Sequence, residues 1–367
     1  MTPATTRAAA GARGITAVLA TLLAVSGCQS VTAAPPGPTA PPTVSTPPTG
    51  STPPTVSTLR QTLRSTALPR APYIAMVDMV AAQPAKVWVE VDLVKAWETG
   101  PQRYADVLNI AVKLASRPGV VGLKIADELG YHDGLNTPER AREFLAQASS
   151  DIRSRLPRAK ILVDMVVPQL GCLAWASEQA ARLYCANAAG NTSPAATIDA
   201  VDTYLAAKTF DVLDLSAGLL DAGTYRTWGT TGDQAMTAIW KEVVRRGWGV
   251  LVTLQARKAL AHPGSYQNSP AQAEADLRTF VDIPLANGAQ AVDIWAWRQQ
   301  YQGSMYRLYN PGLQVNPLIA GLALRREAGV HLFTHMSPSS VEVNMSTDVS
   351  AATAIFGNIF VAAGAGS

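Results

Sequence analysis

The chain has 367 residues, 30 Lys+Arg against 27 Asp+Glu for a formal net charge of +3, and three cysteines. So nearly even a balance excludes a nucleic-acid surface and a polybasic membrane patch. The longest early apolar run, Ile15 to Val25, is too short for a comfortable transmembrane helix.

Arg7 and Arg13 precede that run with no acid between them, and it ends in Val25-Ser26-Gly27-Cys28. Small residues directly before a cysteine resemble the lipobox of bacterial lipoproteins, which implies a leader over 1–27 and lipidation of Cys28. Removing Arg7 and Arg13 with the leader leaves a net charge near +1, so membrane attachment would rest on the lipid alone. Residues 28–70 read as a tether. Within it Thr32–Thr58 holds nine prolines, eight threonines and no charge, and P-P-T-V-S-T-like hexads recur. Such a segment buries no core and favours extended polyproline II, with a reach of roughly 80 Å. Export also accounts for Cys172 and Cys185, which are expected to form a disulfide in an oxidising compartment.

Residues 71–367 suit one α/β domain. Tyr73–Val80 and Lys86–Leu93 read as strands, followed by a helix over Pro101–Ser116 and a strand over Val120–Glu128. A helix capped by Thr137 with Pro138 at its first position comes next, then the strand Lys160–Pro168. Two helical segments lead to the strand Phe210–Ser216, and a helix through Met236–Val244 stops at Gly247. Trp248–Gln255 reads as a strand, Ser269–Asn287 as a capped helix, Ala291–Gln299 as a strand and Pro317–Arg326 as a helix. Val330–His335 or Val341–Met345 closes the sheet. Alternating β and α with apolar strands means a parallel sheet. No Gly-rich nucleotide loop follows any strand, so the expectation is a (β/α)8 barrel, irregular at its first and last strands, rather than a doubly wound sheet.

Strand parity then sorts the side chains. The aliphatic face meets the helices and the other face lines the barrel. The lining face carries Trp88, Glu90 and Asp92, then Lys124 and Glu128, then Asp164, then Asp214 and Ser216. Thr253, Gln255 and Arg257 follow, and finally Asp293, Trp295, Trp297 and Gln299. Ordinary barrels fill this space with branched aliphatics. Glu90 and Lys124 are expected to pair, and Asp293, early in its strand, reads as structural. The acids outnumber Lys124 and Arg257, so some should titrate high or face water and ligand.

The stretch V-V-G-L-K-I-A-D-E-L-G-Y-H-D-G at 120–134 passes from strand to loop just after Asp127 and Glu128. In a barrel that is the catalytic rim. Two rim carboxylates beside indoles suit glycoside hydrolysis, in which one protonates the leaving oxygen and the other attacks or activates water. Glu128 is the expected acid/base, its pKa raised by Asp92 and Asp164. Asp164 and Asp214 compete as its partner. Asp92, Asp127, His132, Gln255, Arg257, Trp295 and Trp297 are candidate substrate contacts, with core packing the competing reading for the tryptophans. Through I-A-D-E-L-G at 125–130, V-D-I-W-A-W at 292–297 and the strand order, the chain resembles exported (β/α)8 glycoside hydrolases. Asp127 stands where the largest clan of those enzymes has an asparagine, so only architecture and reaction class carry over.

No cofactor is expected. His132, His262, His331 and His335 show neither H-x-H nor H-E-x-x-H spacing, and no G-x-S-x-G elbow occurs. The residue types leave open one metal site, an acidic Mg²⁺ or Ca²⁺ at the rim. The rival function is a monomeric, lipid-tethered barrel that binds a glycan or polysaccharide without cleaving it.

Overall fold

The computed structural model describes residues 67–131, 133–174 and 179–363, and Cys28 and His132 lie outside them. Eight parallel strands close into a barrel: β1 (Lys86–Glu90), β2 (Val120–Ala126), β3 (Lys160–Val166), β4 (Val212–Ser216), β5 (Thr253–Ala259), β6 (Ala291–Trp295), β7 (Leu332–Met336) and β8 (Asn358–Ala362). Each strand pairs with its neighbours in chain order, and β8 closes on β1 with Lys86 opposite Asn358 and Glu90 opposite Ala362. Helices fill the connections, as the right-handed β-α-β crossover demands. Val87, Val89, Leu123, Ile125, Ile161, Val163, Leu213 and Leu254 bury their outward faces against those helices.

Four expectations need correction. Tyr73–Val80 lies in a helix, Ala71–Ala81, with Pro72 in its first turn. Met76, Val77 and Val80 form its buried stripe, a helical spacing that a short apolar run does not distinguish from a strand. Asp78 points away from the barrel and pairs with Arg117. The segment Trp248–Leu251 is a single helical turn, so β5 begins later, at Thr253. Val341–Met345 is not a strand; the closing strand is Asn358–Ala362, after the helix Met345–Ile355. Finally, the ladder of β6 stops at Trp295. A separate antiparallel hairpin, Arg298–Tyr301 with Ser304–Arg307, follows it.

Candidate active site

The barrel interior is built in two tiers. Its floor is apolar: Trp88, Leu162, Val212, Ala291, Phe333 and Phe360 pack together on the inward face. Gly122 makes room for the indole, since a Cβ there would come within 2.7 Å of the Trp88 ring and 2.3 Å of the Lys160 carbonyl oxygen.

Above the floor lies a charged tier. Glu90 of β1 stands level with Lys124 of β2. The ammonium of Lys124 is buried and donates to Glu90 (2.9 Å) and Asp127 (2.9 Å), with Asp164 as a third ion-pair partner at 3.1 Å. Burial alone would lower its pKa, but Asp127, Glu90 and Asp164 hold it well above the usual lysine value. On the far side of Glu90 is His335, whose Nδ1 meets Glu90 at 2.7 Å and whose Nε2 meets Asp293 at 2.7 Å. Its ring stacks on Phe360 of the floor, centroids 4.7 Å apart. Burial works against the imidazolium, yet Asp293 and Glu90 raise its pKa to about 9, so it is charged at neutral pH. The same contacts bring Glu90 and Asp293 down to about 2 despite their burial. Asp214 is pushed the other way, first by burial and then by the charges of Asp293 and Asp164. Gln255, also fully buried, lies beside Asp214 in the ladder.

Arg257 bridges this tier to the rim. Its guanidinium contacts Asp164, reaches Asp127 at 3.2 Å and lies 3.8 Å from Glu128. Asp164 is wholly buried, whereas 55% of the Asp127 side chain is open to solvent. Desolvation in the mouth disfavours the Asp127 carboxylate, but Lys124 and Arg257 keep it well below the usual range. Burial lifts Asp164 to about 7 against the pull of Arg257 and Lys124. The two carboxyls, held by the same ammonium and guanidinium, therefore titrate as a coupled pair, Asp127 low and Asp164 high.

Glu128 differs from all of these. Its side chain is 37% exposed and its backbone takes φ +56°, a left-handed conformation that costs a non-glycine residue about 1 kcal/mol or more. The hydrogen bond from Leu129 N to the Asp164 carbonyl (2.9 Å) and that from Tyr131 N to Glu128 O (2.9 Å) hold the turn. Its charged neighbour within ion-pair range is the cation Arg257, not the Asp92 and Asp164 carboxylates that parity implied. Asp92 lies beyond the end of β1, where it caps the helix Leu93–Thr99 by accepting from Lys95 N at 2.9 Å. Its Oδ1 is thus committed to the helix cap.

The aromatic expectations divide. Trp295 is half-buried, within 5.7 Å of the Tyr301 ring and 5.5 Å of the Tyr306 ring. Trp297 is 1% exposed; its Nε1 donates to Asp348 at 3.1 Å and its ring meets Tyr309 at 4.6 Å. It is a core residue, not a substrate platform. The Cys172–Cys185 disulfide is present and ties the turn Pro168–Cys172 after β3 to the helix Gln179–Thr192. His335, Tyr301 and Tyr306 were not foreseen. Alternation in L-F-T-H-M at 332–336 carries the signal for His335: Phe333 faces inward, so His335 does too.

No family model and no curated protein matches this chain. Among solved structures it is similar to the carboxyl transferase domain of Rhizobium etli pyruvate carboxylase with pyruvate and biocytin. That likeness has 13% identity and a TM-score of 0.43, covering 79% of this chain and 41% of the other. A second structure of the same domain gives 11% identity and a TM-score of 0.38 over 79% and 41%. This chain thus spans less than half of the chains it resembles. Likeness of this order says nothing about activity.

Proposed function

We propose that the protein is a lipid-anchored, extracytoplasmic glycoside hydrolase-like barrel that engages a glycan at its mouth. Cys28 would carry the lipid, and the Pro/Thr tether would hold the barrel away from the membrane. The observation that carries the glycan reading is the guanidinium of Arg257, which touches Asp127 at 3.2 Å and approaches Glu128 to 3.8 Å at an open rim. Carboxyls that share one guanidinium are no more than about 9 Å apart, within the upper limit of glycosidase pairs. In this reading Glu128 protonates the departing glycosidic oxygen. Asp127, kept ionised by Lys124 and Arg257, attacks the anomeric carbon or activates water. Asp164 and Asp214 lose the partner role because both are wholly buried.

That loss also favours a second reading, glycan binding without cleavage. Two of the three expected acids are committed to interior contacts, and the rim carboxylates could serve as hydroxyl acceptors alone. Incubation with a glycan panel, followed by assay of new reducing ends, separates the two. Hydrolysis predicts turnover in the parent and a loss of at least ~100-fold in Glu128→Gln, with the melting temperature nearly unchanged. Glycan retention without reducing ends in the parent would leave the binding function. Unfolding of Glu128→Gln would make the residue an ion-pair partner only.

A further inference from the structure

The hairpin after β6 is built more firmly than a connecting loop requires. Its strands pair Arg298 with Arg307, Gln299 with Tyr306 and Tyr301 with Ser304. The turn residues Gln302 and Gly303 have φ +47° and +78°, the left-handed pair that a two-residue hairpin needs. Directly opposed arginines repel. Here Glu342 takes both, Arg298 Nε at 2.6 Å and Arg307 Nη1 at 3.0 Å. Asp348 in turn accepts from the backbone N–H groups of Glu342 and Val343, each at 2.9 Å. So the base is clamped, while the tip, Tyr301 to Ser304, carries no charge. Tyr301 is 47% exposed, and its ring lies 5.7 Å from Trp295 and 5.8 Å from Tyr306.

We propose that this hairpin is a second sugar-binding subsite, apart from the Glu128 rim, and that the ligand is an extended, uncharged glycan longer than a disaccharide. The proposal rests on the glycan reading above and deepens it. A pyranose offers an apolar C–H face and a hydroxyl edge. The ring cluster supplies the first complement, and the side chain of Gln299, opposite Tyr306 on the same face of the hairpin, supplies the second. Rings held in place before binding lose little entropy when a ligand stacks on them. Glu342 occupies both arginines, so an acidic polymer finds no unpaired cation at the hairpin base.

Position sets the length. β2, which leads to Glu128, and β6, which leads to the hairpin, are four strands apart in the ring of eight by either route. They therefore stand on opposite sides of the mouth, about 15 Å apart for an eight-stranded barrel. A ligand touching both must exceed two sugar rings.

The test uses the full chain in detergent and neutral di- and hexasaccharides of the gluco, xylo, manno and N-acetylglucosamine series, followed by calorimetry. The parent should bind one hexasaccharide about tenfold more tightly than the matching disaccharide. Tyr301→Ala should bring the hexasaccharide down to the disaccharide level, and Tyr301→Phe should retain the parent affinity. Equal affinity of the parent for both lengths, or an unchanged hexasaccharide affinity in Tyr301→Ala, overturns the subsite and leaves the glycan reading standing. Binding of none of the sugars sinks the glycan reading and the subsite together.

Discussion

The floor and the mouth of this barrel meet opposite demands. The floor buries Trp88, Leu162, Phe333 and Phe360 against one another and needs no counter-charge. A few ångströms above, Lys124, His335 and Arg257 pair with Glu90, Asp127, Asp164 and Asp293 at 2.7–3.2 Å, and Arg257 contacts Asp164 as well. Apolar packing tolerates substitution gradually, at a cost set by the cavity left. A buried ion network is brittle, since removing one member strands the rest. Brittleness is also what keeps Asp127 ionised at the rim while most of its side chain faces water. Stability and the electrostatics of the mouth thus share the same residues.

Lys124→Ala should break this comparison hardest. The substitution leaves Glu90, Asp127 and Asp164 without the ammonium they share, and about 3–5 kcal/mol of stability should go with it. Chemical denaturation at neutral pH measures this directly. A loss under 1 kcal/mol would mean that Arg257 and His335 carry the layer by themselves.

A change of pH should separate the tiers without mutation. His335 has its pKa raised from 6.5 to about 9, because Asp293 and Glu90 overcome burial. A raised folded-state value means the stabilisation is fully present below 6.5 and is lost as pH climbs through 9. The size is about 3 kcal/mol. Glu90 moves the opposite way, from 4.5 to about 2, so its share is present above 4.5 and vanishes as pH falls through 2. Leu162→Ala in the floor should cost about 2–5 kcal/mol by the same amount at neutral and alkaline pH. Parent and Leu162→Ala curves should therefore run parallel, both falling through the alkaline range, and His335→Asn should flatten that fall. Alkaline slopes equal in parent and His335→Asn would assign the loss to another group.

Parity explains which parts of this arrangement were legible in the sequence. Inside a ladder the period of two is strict, and Glu90, Lys124, Asp164, Asp214, Gln255, Arg257 and Asp293 do line the barrel. Beyond the last ladder residue parity has no force. β1 ends at Glu90 and β6 at Trp295, so Asp92 became a helix cap and Trp297 a core side chain. His335 belongs to no motif whose spacing marks it, although Val330–His335 is one of the two segments that could close the sheet. The actual closing strand, N-I-F-V-A at 358–362, is five residues long, shorter than Val330–His335 and no longer than Val341–Met345, so length does not single it out. Tyr301 and Tyr306 belong to a hairpin whose strands are four residues each, and no barrel periodicity forecasts such an insertion. Glu128 was found for a reason only half right: the strand end was read correctly, but a left-handed backbone and Arg257, not neighbouring acids, define its surroundings.

Trp297→Phe carries the smallest expected effect and discriminates most cleanly between core and site. The indole is 1% exposed, and phenylalanine keeps much of its volume, so the principal loss is the hydrogen bond from Nε1 to Asp348 at 3.1 Å. Asp348 still accepts from Glu342 N and Val343 N, so its carboxylate is not stranded. Stability should fall by about 1 kcal/mol, the usual net worth of a buried hydrogen bond with some added for imperfect packing. Glycan affinity should not move, because the buried indole offers no surface to a ligand in the mouth. Trp295→Phe supplies the contrast: its ring is part of the half-exposed cluster, so it should weaken glycan binding more than it lowers the melting temperature. Reduced glycan affinity in Trp297→Phe at an unchanged melting temperature would return that indole to the binding surface and move the boundary between core and mouth outward.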